Sequence, residues 1–161
     1  MSYRETGVLT IEDLARKELL PSDERLRRGP VVILECPEEI PCNLCIYACP
    51  FKAISKDRIY SVPRVDFDKC IGCGACIPQC PGLAIFVVDL SRENYALISL
   101  PYEMLPKPEK DSIAVLLDRE GREVGVGRIV KVWQYDKTWV VTVEVPRDKW
   151  WEVRNIRIQR K

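Results

Sequence analysis

Every cysteine of this chain falls in one of two short runs, CPEEIPCNLCIYACP at 36–50 and CIGCGACIPQCP at 70–81, and each run closes on Cys-Pro. In the second run the spacing is C-x2-C-x2-C-x3-C-P. Three thiolates that recur every third residue can converge on one centre from a single loop, so any fold available to this chain has to be built around such centres. Gly72 and Gly74 are expected to let the backbone pass close to the centre. Pro81 ends the loop and withholds a backbone donor. CPFKAI (49–54) recurs as CPGLAI (80–85), and the same step carries Cys42 onto Cys73 and Cys45 onto Cys76, which reads as an internal duplication. The first run departs from the second at one point. The position matched to Cys70 is Glu39, and Cys36 lies three residues earlier, behind an x5 gap.

Three chemistries use cysteines in such numbers. Disulfides are disfavoured because the sequence shows no signal-peptide pattern and cysteines so close together in a loop are poorly placed to bridge. Four-thiolate zinc sites also use paired CxxC units. Two overlapping x2 gaps followed by x3 and proline, with most of that pattern repeated, favour iron-sulfur clusters instead.

Over Val31 to Ser91 the chain resembles the bacterial-type dicluster 4Fe-4S ferredoxins, most firmly in CIGCGACIPQCPGLAI and next in CNLCIYACPFKAI. The resemblance implies crossed ligation, in which the fourth cysteine of each run serves the other cluster. Cys49, Cys70, Cys73 and Cys76 would then share one 4Fe-4S cluster (cluster II), and Cys36, Cys42, Cys45 and Cys80 the other (cluster I). Three arrangements could complete cluster I: a bulged loop from Pro37 to Pro41 that lets Cys36 reach the iron, a carboxylate from Glu39, or only three protein ligands. Soft thiolate suits these clusters better than hard carboxylate, which favours Cys36.

Composition excludes several alternatives. Histidine is absent, which removes Rieske-type ligation, histidine-ligated haem and histidine acid-base catalysis. A net charge of +1 provides no general steering toward nucleic acid or an acidic surface. No apolar stretch approaches the ~20 residues of a membrane span. A cytoplasmic location is therefore expected, in a compartment that keeps thiols reduced. Charged residues make up 30% of the chain and amides are few, a balance that leans toward a thermophilic source.

The expected fold class is α+β: a dicluster ferredoxin-like core, an N-terminal helical extension and a small C-terminal antiparallel β domain. The expected divisions are 1–30, 31–91, a strand and proline-rich linker at 92–110 (prolines 101, 106 and 108), and 111–161. Thr10 and Asp13 have capping-box spacing before an amphipathic pattern of Ile11, Leu14, Ala15 and Leu19 that Pro21 stops. That helix packs either on its own domain or on a partner. Val65, Phe67, Ile85 and Val87 should fill the small core, with Tyr47 and Phe51 packed nearby or shielding cluster I. IAVLLD, REVGVGRIVKVW, TWVVTVEVP and VRNIRIQ read as short strands of a compact sheet or barrel. Trp133, Trp139, Trp150 and Trp151 are expected to be core or interface anchors. Arg154 and Arg157 are expected on a solvated face, and nucleic acid is not expected as a partner.

More narrowly, ECPEEIPCNLC, VPRVDFDKCIGCGAC, LPYEMLP and DREGREVGVGR look like the iron-sulfur subunits of multi-subunit flavin-dependent dehydrogenases acting on proline, hydroxyproline, sarcosine or opines. That resemblance implies no catalytic residue in this chain and a flavin (FAD or FMN) in a partner subunit of a hetero-oligomer. Electrons would pass onward to an acceptor such as a ferredoxin or a quinone. A free electron carrier, or a subunit of another anaerobic oxidoreductase, is the alternative.

Overall fold

The structure, a computed structural model, describes residues 1–159. Three short helices come first: α1 (Tyr3–Thr6), α2 (Ile11–Arg16) and α3 (Asp23–Arg28). The capping box at α2 forms as expected, with Thr10 Oγ1 accepting from Asp13 N at 3.2 Å and Asp13 Oδ2 accepting from Thr10 N at 2.9 Å. The helix ends at Arg16, before Pro21. Glu18 turns to φ 57 and Leu19 N returns to Leu14 O at 3.0 Å, which folds Leu14 and Leu19 inward.

The cysteine-bearing segment follows the duplication. One half is β1 (Val31–Leu34), α4 (Leu44–Ala48) and β2 (Ile54–Ser55). The other is β3 (Arg64–Val65), a 3-10 turn at Ile77–Gln79 and β4 (Ile85–Asp89). β1 pairs antiparallel with β4 (Leu34 opposite Ile85), and β2 pairs with β3, so the two halves embrace.

The chain continues through β5 (Tyr95–Tyr102), β6 (Ile113–Leu117), β7 (Glu123–Tyr135), β8 (Thr138–Pro146) and β9 (Asn155–Arg157). The seven-stranded sheet has the order β1-β4-β5-β8-β7-β6-β9. β5 pairs with β4 on one side and β8 on the other, so hydrogen bonding runs unbroken from the cysteine-bearing half to the C-terminal strands. Pro101, expected in a linker, lies in β5 opposite Val140; the connection proper begins after Tyr102.

β7 is long because it serves two partners, β6 with its first half and β8 with its second, and its register shifts between Ile129 and Lys131. Gly127 makes that crossing possible, since a Cβ there would stand 2.0 Å from the Glu144 carbonyl oxygen.

One apolar core joins all parts of the chain. Leu14 and Leu26 from the helices, Ile33 and Val88 from the cysteine-bearing half, and Leu100, Leu116, Val141 and Ile156 from the later strands belong to a single buried cluster. Each such side chain contributes about 1.5–3 kcal/mol when fully buried. The four tryptophans pack half-buried against this core. Arg157 is exposed and pairs with Glu123, but Arg154, expected on a solvated face, is 6% exposed because it meets a buried carboxylate.

Candidate metal centre

Two cavities flank the paired halves. The first, about 500 Å³, is lined by Cys36, Cys42, Cys45 and Cys80 among Leu34, Ile40, Leu44 and Ile85. The second is lined by Cys49, Cys70, Cys73 and Cys76 among Val32, Phe51, Ile71 and Val87. Each cavity thus takes three cysteines from one run and the fourth from the other. Glu39 lines neither cavity. It borders a separate polar groove with Arg16, Lys17, Asp57 and Arg64. All eight cysteines are free thiols.

The donor chemistry fits iron-sulfur clusters: four soft sulfurs per cavity, in walls that are otherwise mostly apolar. Among the described residues no group of three or more His, Cys, Asp or Glu side chains could hold a single metal ion. The thiols line the two cavities, of about 500 Å³ and about 20 Å³.

The duplication is visible at atomic level in the two Cys-Pro elbows. Lys52 N donates to Cys49 O at 3.3 Å and Leu83 N to Cys80 O at 3.1 Å, with Lys52 and Leu83 both at φ 52. That left-handed residue turns the next amide back, so Ala53 N donates to Cys49 Sγ at 3.4 Å and Ala84 N to Cys80 Sγ at 3.5 Å. Hydrogen bonds to ligand sulfur are among the features that set a cluster's reduction potential.

Gly72 and Gly74 both line the second cavity. Gly72 takes φ 69, and a Cβ there would come within 2.4 Å of Pro30 Cβ, so its freedom also lets the loop pass Pro30. The nearest atoms to a Cβ at Gly74 belong to Ile77 and Trp133. Tyr47 does not pack in a core, being 82% exposed, and Phe51 closes the second cavity instead of the first. The position matched to Phe51 in the first cavity is Gly82, which leaves that side more open.

Burial holds three of the thiols in the protonated form. It pushes Cys76 up to about 12, with Cys70, Cys73 and Cys49 adding to the shift. Burial likewise pushes Cys45 up to about 11, against Lys56, with Cys36, Cys80 and Cys42 adding. Cys36 is raised by burial and then by Cys80, again opposed by Lys56. The thiols influence one another within each cavity's set, which is a second expression of the same division.

Three supporting side chains carried no motif. Arg25 of α3 is buried and donates to Phe67 O (2.7 Å), Gly29 O (3.2 Å), Pro30 O (3.1 Å) and Cys70 O (2.6 Å), which ties the extension to the second cysteine loop. Glu35, directly before Cys36, accepts from Arg119 and Arg154, and the Arg119 guanidinium lies 3.9 Å from the Trp151 ring centroid. Burial pulls the Arg154 guanidinium down to about 10 against the pull of Glu35, so it remains a cation at neutral pH. Lys56 Nζ donates to Ile40 O at 2.9 Å and Ile59 O at 3.2 Å, while Glu38 is held by Tyr3 and Arg4. The wide Pro37–Pro41 gap is thus staked from two sides. A sequence signal existed for Lys56 alone, as the position the duplication matches to Val87.

Residues 40–87 match the 4Fe-4S dicluster domain family. That segment is similar to the dicluster iron-sulfur segments of ferredoxin-type proteins. Among curated relatives, it is 42% identical over 83 residues to the polyferredoxin-like subunit of aliphatic sulfonate oxidoreductase from Pyrococcus furiosus, covering 46% of each chain. It is 45% identical over 58 residues to the ferredoxin-type protein NapF of Haemophilus influenzae, covering 34% of this chain and 33% of the relative. It is 33% identical over 78 residues to the beta subunit of dissimilatory-type sulfite reductase from Archaeoglobus fulgidus, covering 48% and 19%. The chain spans less than half the length of each of these three. No solved structure matches. No helix among the described residues is long and apolar enough to cross a membrane.

Proposed function

We propose that the protein is a non-catalytic electron-transfer subunit holding two 4Fe-4S clusters, one on Cys36, Cys42, Cys45 and Cys80 and the other on Cys49, Cys70, Cys73 and Cys76. It takes electrons from a flavin in a partner amine or amino-acid dehydrogenase subunit and passes them to an external acceptor. The observation that carries this reading is the division of the eight thiols between two cavities in crossed sets of four. Cys36 is favoured over Glu39 as the fourth ligand because it lines the first cavity and Glu39 lines another groove.

When bound, the two clusters supply one-electron acceptance and release, which suits them to draining a two-electron flavin. The chain's own residues do the rest. Eight thiolates hold the clusters, Ala53 N and Ala84 N donate to two of the sulfurs, and Phe51, Ile71, Ile40 and Leu44 line the cavities with apolar surface. Relatives described as subunits of an aliphatic sulfonate oxidoreductase and a sulfite reductase support a place in a larger assembly. The flavin partner rests on the resemblance of ECPEEIPCNLC, LPYEMLP and DREGREVGVGR to dehydrogenase iron-sulfur subunits.

The test is isolation of tagged protein from its own source under anaerobic conditions. A flavoprotein should accompany it, and the amine or amino-acid substrate should reduce the clusters. Recovery as a lone monomer whose clusters no such substrate reduces would leave a free carrier instead.

A further inference from the structure

The duplication matches residues that line one cavity with residues that line the other. Ile40 answers to Ile71, Ala84 to Ala53 and Ile85 to Ile54, all apolar in both places. One pair breaks the rule. Lys56 lines the first cavity, and its counterpart lining the second is Val87, an aliphatic side chain buried to 3% exposure.

The ammonium of Lys56 is held in place. Its bonds to Ile40 O and Ile59 O pin it across the mouth of the Pro37–Pro41 loop, and its charge acts on both Cys36 and Cys45. Two carboxylates also line this cavity, and both are matched. Glu38 is engaged by Arg4, and Glu35 by two guanidinia, those of Arg119 and Arg154, so each carboxylate of this wall has its own cation besides Lys56. Among the described residues no charged side chain lines the second cavity. Arg25 engages the Cys70 carbonyl but is not part of the cavity wall.

Adding an electron to a cluster makes it more negative, and a nearby positive charge favours that state; net charge and solvent exposure are among the features that set cluster potentials. The more open first cavity, with Gly82 where the second has Phe51, acts in the same direction. We propose that Lys56, with no charged counterpart at the second cavity, makes the cluster held by Cys36, Cys42, Cys45 and Cys80 the more easily reduced of the two. This rests on the two-cluster reading above. Each reduction is uptake of one electron from an external donor, dithionite in the experiment, with no bond made or broken in this chain.

The experiment is a redox titration of the anaerobically loaded protein, followed by electron paramagnetic resonance. The midpoint that disappears in Cys36→Ala identifies the first site. In the unaltered protein that midpoint should be the higher one. Lys56→Gln keeps a donor for the carbonyls without the charge and should lower that midpoint alone. At constant poise its reduced-to-oxidised ratio should fall about tenfold, ~59 mV for one electron. Lys56→Arg should restore it. The proposal is overturned if the first site has the lower midpoint in the unaltered protein, if Lys56→Gln moves both midpoints equally or neither, or if Arg behaves as Gln does. Iron and sulfide analysis separates the two readings: too little iron for two clusters sinks the function proposed above, whereas full loading with unresponsive midpoints sinks only the role of Lys56.

Discussion

Arg154 Nε donates to Glu35 Oε1 at 2.6 Å across 119 positions of sequence, and so joins the approach to the last strand to the residue before Cys36. Both side chains are buried, at 3% and 8% exposure. Arg119 donates to both oxygens of the same carboxylate, and Arg154 Nη2 is left without a hydrogen-bond partner. Two guanidinia therefore depend on one buried carboxylate.

Removing that carboxylate strands two guanidinia in an apolar setting. Glu35→Ala should destabilise the loaded protein by about 3–5 kcal/mol, the range seen when one partner of a buried pair is lost. Urea unfolding monitored by circular dichroism measures it, and iron should leave the first site before the second. A change within about 0.5 kcal/mol would mean that the network contributes nothing.

Cys36→Ala should lower bound iron from about eight to about four atoms per chain, and Glu39→Ala should leave it unchanged. Iron and acid-labile sulfide analysis under anaerobic conditions reads this directly. Loss of iron in the Glu39 variant with retention in the Cys36 variant would reverse the ligand assignment.

Arg25→Ala deprives four carbonyls of a donor. Stability should fall by about 1–3 kcal/mol, the cost of leaving buried polar groups unpaired. Arg25→Lys should recover little, because one ammonium cannot span the geometry a guanidinium fork covers. The second site should lose iron first, which is the opposite order to Glu35→Ala.

The metal-free chain should respond to alkali in a defined sense. Burial pushes Cys45 up to about 11 and Cys76 up to about 12, whereas an unfolded chain releases thiol protons from about 8.5. The folded thiols hold protons that the unfolded ones give up, so stability is highest below about 8.5 and declines as pH rises toward those values. Loading runs the other way, because each thiolate that binds iron must first lose its proton. Anaerobic reconstitution in weak buffer should release protons and reach completion at lower iron concentration at high pH. Loading that weakens as pH rises would contradict the protonation assigned here.

The grouping of the cysteines around two cavities was legible because much of its signal is local: x2 and x3 gaps place thiols together before any long-range contact forms. The strands of the C-terminal part were legible for a similar reason, since alternation in IAVLLD and TWVVTVEVP marks a half-buried ladder. What sequence could not give was partnership across distance. Arg25 meets carbonyls 42 and 45 residues away, and Arg119 meets Glu35 at a separation of 84. Neither arginine differs locally from a solvated one. Pro101 argued for a linker, yet it sits in β5 between two partners because neighbouring Leu100 and Tyr102 are buried there.

The unbroken ladder from β1 through β4 and β5 to β8 has a consequence for rate. Electron tunnelling decays exponentially with separation, so a carrier that relies on chance encounters samples many separations and reacts at few. In this chain the strands beyond β5 are hydrogen-bonded, through Ser99 and Thr142, to the same sheet that carries both cavity walls. A subunit seated on those strands would meet the sulfurs at one separation, with no hinge in between. The sheet then acts as a ruler, and lengthening the loop between β5 and β6 should leave the transfer rate where it was.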